Sequence, residues 1–149
     1  MQIALAKPTH IAEVVTFFND HLDRNRSSIY SEEFLCPLGI KAAIMRKQMI
    51  VATLEGQVVG ACRFYRRKTQ NKISLYQFAI DKPFRGKDLL KRMLMMINDL
   101  PVVSLCPVDS SFNDYFNKTG WNLESQNAEF KTWVYVHTDC DNNDGGTYG

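Results

Sequence analysis

ISLYQFAIDKPFRGKDLLKRML, residues 73–94, decides the fold. Ile73–Ile80 is an apolar run of strand length, Arg85-Gly86-Lys87 sits in a short loop after it, and an amphipathic helical pattern follows. A strand that enters a helix through a basic, glycine-containing loop is an anion site in the making. The first N–H groups of a helix lack intrahelical acceptors, and the helix dipole favours negative charge there. Phosphate or pyrophosphate suits such a loop; a plain turn at Gly86 before a helix is the alternative reading.

The segment resembles the acyl-CoA-binding signature of the GNAT (Gcn5-related N-acetyltransferase) superfamily. In that signature a strand ending in an apolar pair meets a loop of the form Arg/Gln-x-x-Gly-x-Gly/Ala, and the following helix caps the CoA pyrophosphate. Phe78-Ala79-Ile80 stands at the strand end, Arg85 opens the loop, and Asp88 and Leu90 fill the two small positions. Asp88 also reads as a helix N-cap that accepts from a following N–H. Downstream, DSSFNDYFNKTGW (Asp109–Trp121) resembles the family's Asn-x-x-Ala-x-x-Phe-Tyr-Glu-Lys-x-Gly-Phe element, best over Lys118-x-Gly120-Trp121. Gly120 there suits the left-handed residue after a helix end. The two motifs occur in the family's order, and the resemblance covers Met49 to Trp121 well.

The remaining elements agree with it. Gln2–Lys7 reads as a strand; Pro8-Thr9 opens a helix whose Ile11, Val14, Val15, Phe18 and Leu22 share one face. Asn25–Ser31 is polar loop, and Pro37 begins a second helix through Met45. Strands over Met49–Leu54 and Val58–Tyr65 flank Glu55-Gly56-Gln57, the strongest hairpin signal of the chain. After the signature helix come strand Val102–Cys106, a helix over Ser111–Lys118, and strands Asn122–Ser125 and Phe130–Val136. The expectation is an α/β fold of α+β type: a single GNAT-like domain over residues 1–137 with a mixed, mostly antiparallel sheet flanked by helices. Residues 138–149, polar and rich in Gly and Asp, read as a disordered tail.

Composition narrows the function classes. The chain has 149 residues, 45% hydrophobic, enough for one core. No apolar run reaches membrane-span length and no signal peptide is evident, so the sequence reads as cytoplasmic. Four scattered cysteines, Cys36, Cys62, Cys106 and Cys140, form no C-x-x-C pair and imply neither a disulfide framework nor a zinc site. The three tail aspartates lack a calcium-loop pattern, so no metal is expected. Outside the tail, 18 basic residues face 13 acidic ones, about +5. The densest charge is Arg63-Phe64-Tyr65-Arg66-Arg67-Lys68, which reads as a solvated hairpin tip or as attraction for an acidic partner such as nucleic acid.

What the resemblance implies is acetyl transfer from acetyl-CoA to an amine of a small molecule or protein. The strand amides near Phe78 and Ile80 would hold the pantetheine and thioester, and Arg85, Gly86, Lys87, Asp88 and Leu90 the pyrophosphate. The strand carboxylate that many members use as base falls on Ser74. The family's acid, a Tyr, falls on Phe116 when Gly120 is the anchor, leaving Tyr115, about 100° round a helix, as the candidate. Two alternatives stay open: a GNAT-like modifier of nucleic-acid bases, supported by the Arg63–Lys72 run, and a non-catalytic CoA-binding or regulatory module.

Overall fold

A computed structural model of the chain describes residues 1–21 and 36–137. The loop expected over Asn25–Ser31 and the tail expected from residue 138 lie outside the described residues. Hydrogen bonding orders seven strands β1-β2-β3-β4-β5-β7-β6: β1 (Gln2–Leu5), β2 (Met49–Leu54), β3 (Gln57–Arg66), β4 (Ile73–Ile80), β5 (Val102–Pro107), β6 (Asn122–Gln126) and β7 (Phe130–Tyr135). Among the described residues four helices accompany them, α1 (Ile11–His21), α2 (Pro37–Met45), α3 (Leu89–Leu94) and α4 (Phe112–Lys118). The β4–β5 pair is parallel, while β1–β2, β2–β3, β5–β7 and β6–β7 are antiparallel. The expected succession and the mixed α+β class are borne out. Among the described residues no helix is long and apolar enough to cross a membrane.

The described residues form two compact units, one within Met1–Tyr65 and Tyr76–Met96, the other within Arg66–Leu75 and residues 97–137. In the first unit, Glu55 (φ 52°) and Gly56 (φ 80°) make the two-residue turn between β2 and β3. Both turn residues are left-handed, as the twist of an antiparallel hairpin requires. Helix α1 begins after a 3-10 turn over Pro8–His10 and buries Val14, Phe17 and Phe18. These meet Ile40, Ala43 and Ile44 of α2 and Met49, Val51, Val58, Ala61 and Ala79 of the strands. Each such large apolar side chain contributes about 1.5–3 kcal/mol when fully buried.

Gly60 lies in a β3 stretch that contacts α3. A Cβ built there would come within 3.2 Å of Ile80 Cδ1, 3.3 Å of Leu89 Cδ2 and 3.4 Å of Met93 Sδ. Its neighbour Ala61 belongs to the α1–α2 core. Alternation along a strand therefore puts α3 on the opposite face of β3 from α1 and α2. Three side chains, Leu89 and Met93 buried and Ile80 half-buried, close on one missing methyl group. Gly60→Ala is expected to lower stability by about 1 kcal/mol, overpacking outweighing the entropy gained by removing a glycine. A urea titration with an unchanged or raised midpoint would show that these side chains give way freely.

In the second unit, β5 pairs with the start of β4 at Ile73↔Val102 and Ser74↔Val103, and with β7 from Val102↔Tyr135 to Pro107↔Phe130. Helix α4 ends as its sequence predicts. Gly120 takes φ 91°, and the Trp121 N–H returns to the Phe116 carbonyl at 3.2 Å. The Trp121 ring then packs 4.9 Å from Phe116, the hydrophobic contact that accompanies this helix stop. Phe116 also stacks 5.9 Å from Trp133. Asn113, buried beside them, accepts from Trp133 Nε1 at 2.9 Å and donates to the carbonyls of Pro107 and Ser110. The Phe112 N–H is capped by Ser110 Oγ at 3.1 Å, so capping at this helix start comes from Ser110.

Candidate functional site

Strand β4 ends at Ile80, and Asp81 caps a 3-10 turn over Lys82–Phe84 by accepting from the Lys82 N–H at 3.1 Å. The same carboxylate oxygen lies 3.1 Å from Nε2 of His21, at the C-terminus of α1. His21 Nδ1 meets the Phe17 carbonyl at 2.8 Å, and the ring stacks 4.1 Å from that of Phe17. A carbonyl only accepts, so Nδ1 is the donor in that bond. His21 is a partly buried joint between α1 and the turn that launches the signature loop.

The loop itself is held from both sides. Arg85 Nε donates to the Ile80 carbonyl at 2.9 Å, folding the guanidinium back onto the end of β4. Gly86 takes φ 76° and Asp88 φ 59°, so two of four consecutive residues are left-handed. Asp88 occupies the N-cap position of α3, and its carbonyl accepts from the Arg92 N–H at 3.0 Å. Its side chain makes no capping bond, which corrects the expectation of an Asp88 side-chain cap: the usual cap uses an extended backbone, and a left-handed one does not aim the carboxylate at the following amides. Arg85, Gly86, Lys87 and Asp88 are exposed, Phe78 and Ile80 half-buried, and Leu90 buried. The bulk of Leu90 is consumed by the core, so what it offers a ligand is backbone.

Beside Phe78, β3 and β4 gather polar groups that the sequence leaves unconnected. The Arg63 guanidinium lies 4.6 Å over the Tyr76 ring, and its Nη1 donates to Gln77 Oε1 at 3.4 Å. The Tyr65 and Tyr76 rings are 6.4 Å apart. In the second unit the basic run is occupied internally. Arg66 pairs with Asp99 at 2.9 Å, and this bond holds the Asp99 carboxyl below the usual carboxylate range. Lys72 lies 3.5 Å from Glu124. Arg67 donates to Gln70 at 2.6 Å and to Ser74 Oγ at 2.8 Å, so the residue at the family's base position serves as an acceptor for Arg67.

Tyr115 is half-buried on α4, its ring 6.4 Å from Phe112 and 5.7 Å from Phe116. Phe116, at the family's tyrosine position, is 2% exposed. Cys62 and Cys106 are buried and Cys36 is exposed, and none of the three is in a disulfide. Burial pushes the Cys62 thiol up to about 12, which removes it as a nucleophile at neutral pH. Sequence reasoning singled out Arg63 as part of the basic run but missed its contact with Tyr76, and it missed the contact of His21 with Asp81.

No protein-family model matches the sequence, and no curated protein matches it. Solved structures match its fold. The PaiA N-acetyltransferase from Thermoplasma acidophilum, in complex with coenzyme A, is 11% identical with a TM-score of 0.71, over 91% of this chain and 98% of that one. A GNAT-family acetyltransferase from Streptococcus agalactiae is 13% identical with a TM-score of 0.73, over 92% and 95%. A GNAT-like decarboxylase, GphF in complex with isobutyryl-CoA, is 11% identical with a TM-score of 0.66, over 91% and 99%.

Proposed function

We propose that this chain, whose fold is that of the GNAT acetyltransferases, is an acyl-CoA-dependent N-acyltransferase that moves an acetyl group from acetyl-CoA to an amine. The observation that carries the reading is the loop between β4 and α3. Its Gly86 and Asp88 are both left-handed and Arg85 is bonded back to the strand end, the backbone curl that a basic loop needs to turn its amides toward an anion. The structural neighbours that hold coenzyme A and isobutyryl-CoA support the same cofactor class here.

In this reading Arg85, Gly86, Lys87, Asp88 and the Leu90 backbone take the pyrophosphate, and the strand backbone at Phe78 and Ile80 takes the pantetheine and thioester. The neutral amine attacks the thioester carbonyl, the carbonyl electrons return to expel the thiolate, and Tyr115 supplies the proton that the thiolate takes up. With Ser74 occupied by Arg67, water removes the proton from the amine. The internal pairing of Arg66 and Lys72 favours a small amine over a nucleic acid as acceptor.

Acetyl-CoA at millimolar concentration is expected to raise the melting temperature by several degrees, because a ligand that binds only the native state at about 100 times its Kd adds roughly 2.7 kcal/mol. Arg85 also braces the strand end, so Lys87→Ala is the cleaner variant: it should shrink the shift without changing the unliganded Tm. No shift at all with the wild-type chain overturns the acyltransferase reading and leaves a non-catalytic module.

A further inference from the structure

We infer that Arg63, Tyr65 and Tyr76 recognise an oxyanion on the acceptor, so that the substrate is a small amine that also carries a carboxylate or a phosphate-like group. The inference rests on the acyltransferase reading for the amine and goes beyond it in naming the second group.

Arg63 is half-buried on β3, and among the described residues no carboxylate lies within ion-pair distance of it, whereas Arg66 and Lys72 each have one. Among the described residues its five N–H donors meet one hydrogen bond, the long contact to Gln77, itself buried. Stacking over Tyr76 fixes the plane of the guanidinium and offsets part of its lost hydration. On α2, Gly39 carries no side chain, and a Cβ there would come within 3.4 Å of Nη1 and 3.7 Å of Nη2. That glycine keeps side-chain bulk away from the nitrogen pair that a carboxylate or phosphate takes in bidentate fashion. Tyr65, exposed beside Tyr76, adds a phenolic donor. Tyr76 stands two residues before Phe78, about 7 Å along an extended strand. A small amine with a terminal anion spans that distance, its amine reaching the thioester while its anion meets Arg63.

The test uses the full chain with acetyl-CoA and three acceptors: β-alanine, β-alaninamide and 2-aminoethylphosphonate, followed by thiol release. Wild type is expected to favour the anionic amines by about tenfold or more in kcat/KM, the scale of one charge-assisted bidentate pair. Whether β-alanine or the phosphonate leads identifies the anion. In Arg63→Gln the ratio of kcat/KM for the anionic amines to that for β-alaninamide should fall to near one, with the acetyl-CoA-induced Tm rise unchanged. Arg63→Lys, which keeps the charge and loses the fork, should sit between. Turnover is not the only readout: N-acetyl-β-alanine and inorganic phosphate are titrated calorimetrically against both proteins. Binding lost in Arg63→Gln supports the site even if acetyl-CoA fails to bind, which is the separate failure of the acyltransferase reading. Equal use of charged and neutral amines by wild type, a preference that survives Arg63→Gln, or no calorimetric binding to wild type each overturns the inference.

Discussion

Tyr115→Phe is expected to lower kcat by about 100-fold while changing acetyl-CoA affinity by less than about twofold, the split that marks a group acting only in the transition state. The argument begins with α4. Phe116 is packed against Trp121 and Trp133 and contributes to the core of its unit, with no hydroxyl to give. Tyr115 is one residue back, about 100° round the helix axis, and half-buried. Its ring is flanked edge-on by Phe112 and at an angle by Phe116, which limits the rotamers open to the phenol. A thiolate leaving without a proton must be stabilised by water alone; a held phenolic O–H lowers that barrier without strengthening ground-state binding. Steady-state kinetics together with acetyl-CoA titration reads both quantities. An unchanged kcat would assign the proton to water and return Tyr115 to a packing role, and a parallel loss of affinity would make it a binding residue.

What could be read in the sequence was local. The Glu55-Gly56 turn, the stop at Gly120 and the limits of α2, β2 and β4 were all legible, because turn chemistry and apolar periodicity act over a few residues. The order of elements then left few topologies, and the GNAT resemblance selected among them. The missed contacts are those that no spacing encodes. His21 and Asp81 are 60 positions apart, and Arg63 meets Tyr76 only because β3 and β4 are neighbours in the sheet. Arg66 and Arg67 read as one basic patch until their partners are in place: Asp99 lies 33 positions from Arg66, while Gln70 and Ser74 come from the turn and strand just after Arg67. Leu90 is a similar case. Its bulk reads as an obstacle at a small-residue position, and burial turns that bulk into the core.

Asp88→Asn is expected to tighten acetyl-CoA binding by about tenfold at low ionic strength, a gain in function from removing a charge. The reasoning starts from the backbone. At φ 59° Asp88 occupies the conformation for which the family signature supplies glycine, and Asp tolerates it better than most side chains. The residue therefore preserves the curl of the loop, while its carboxylate, which makes no capping bond, adds a negative charge beside the proposed pyrophosphate position. Two like charges about 5 Å apart repel by about 0.8 kcal/mol in bulk water and about 3 kcal/mol at an effective dielectric of about 20, a range that contains the roughly 1.4 kcal/mol of a tenfold change. Asparagine keeps the shape and tolerates the left-handed backbone, so the loop survives and the repulsion goes. Glycine is the weaker choice for the test, because it also loosens the unfolded chain. Screening supplies the internal control: the advantage of Asp88→Asn should shrink as salt approaches 1 M, where the Debye length falls to about 3 Å. Equal affinity of the two proteins at low salt would move the pyrophosphate away from Asp88. A weaker complex with the variant would mean that the carboxylate takes part in binding, as an acceptor for a donor on the cofactor.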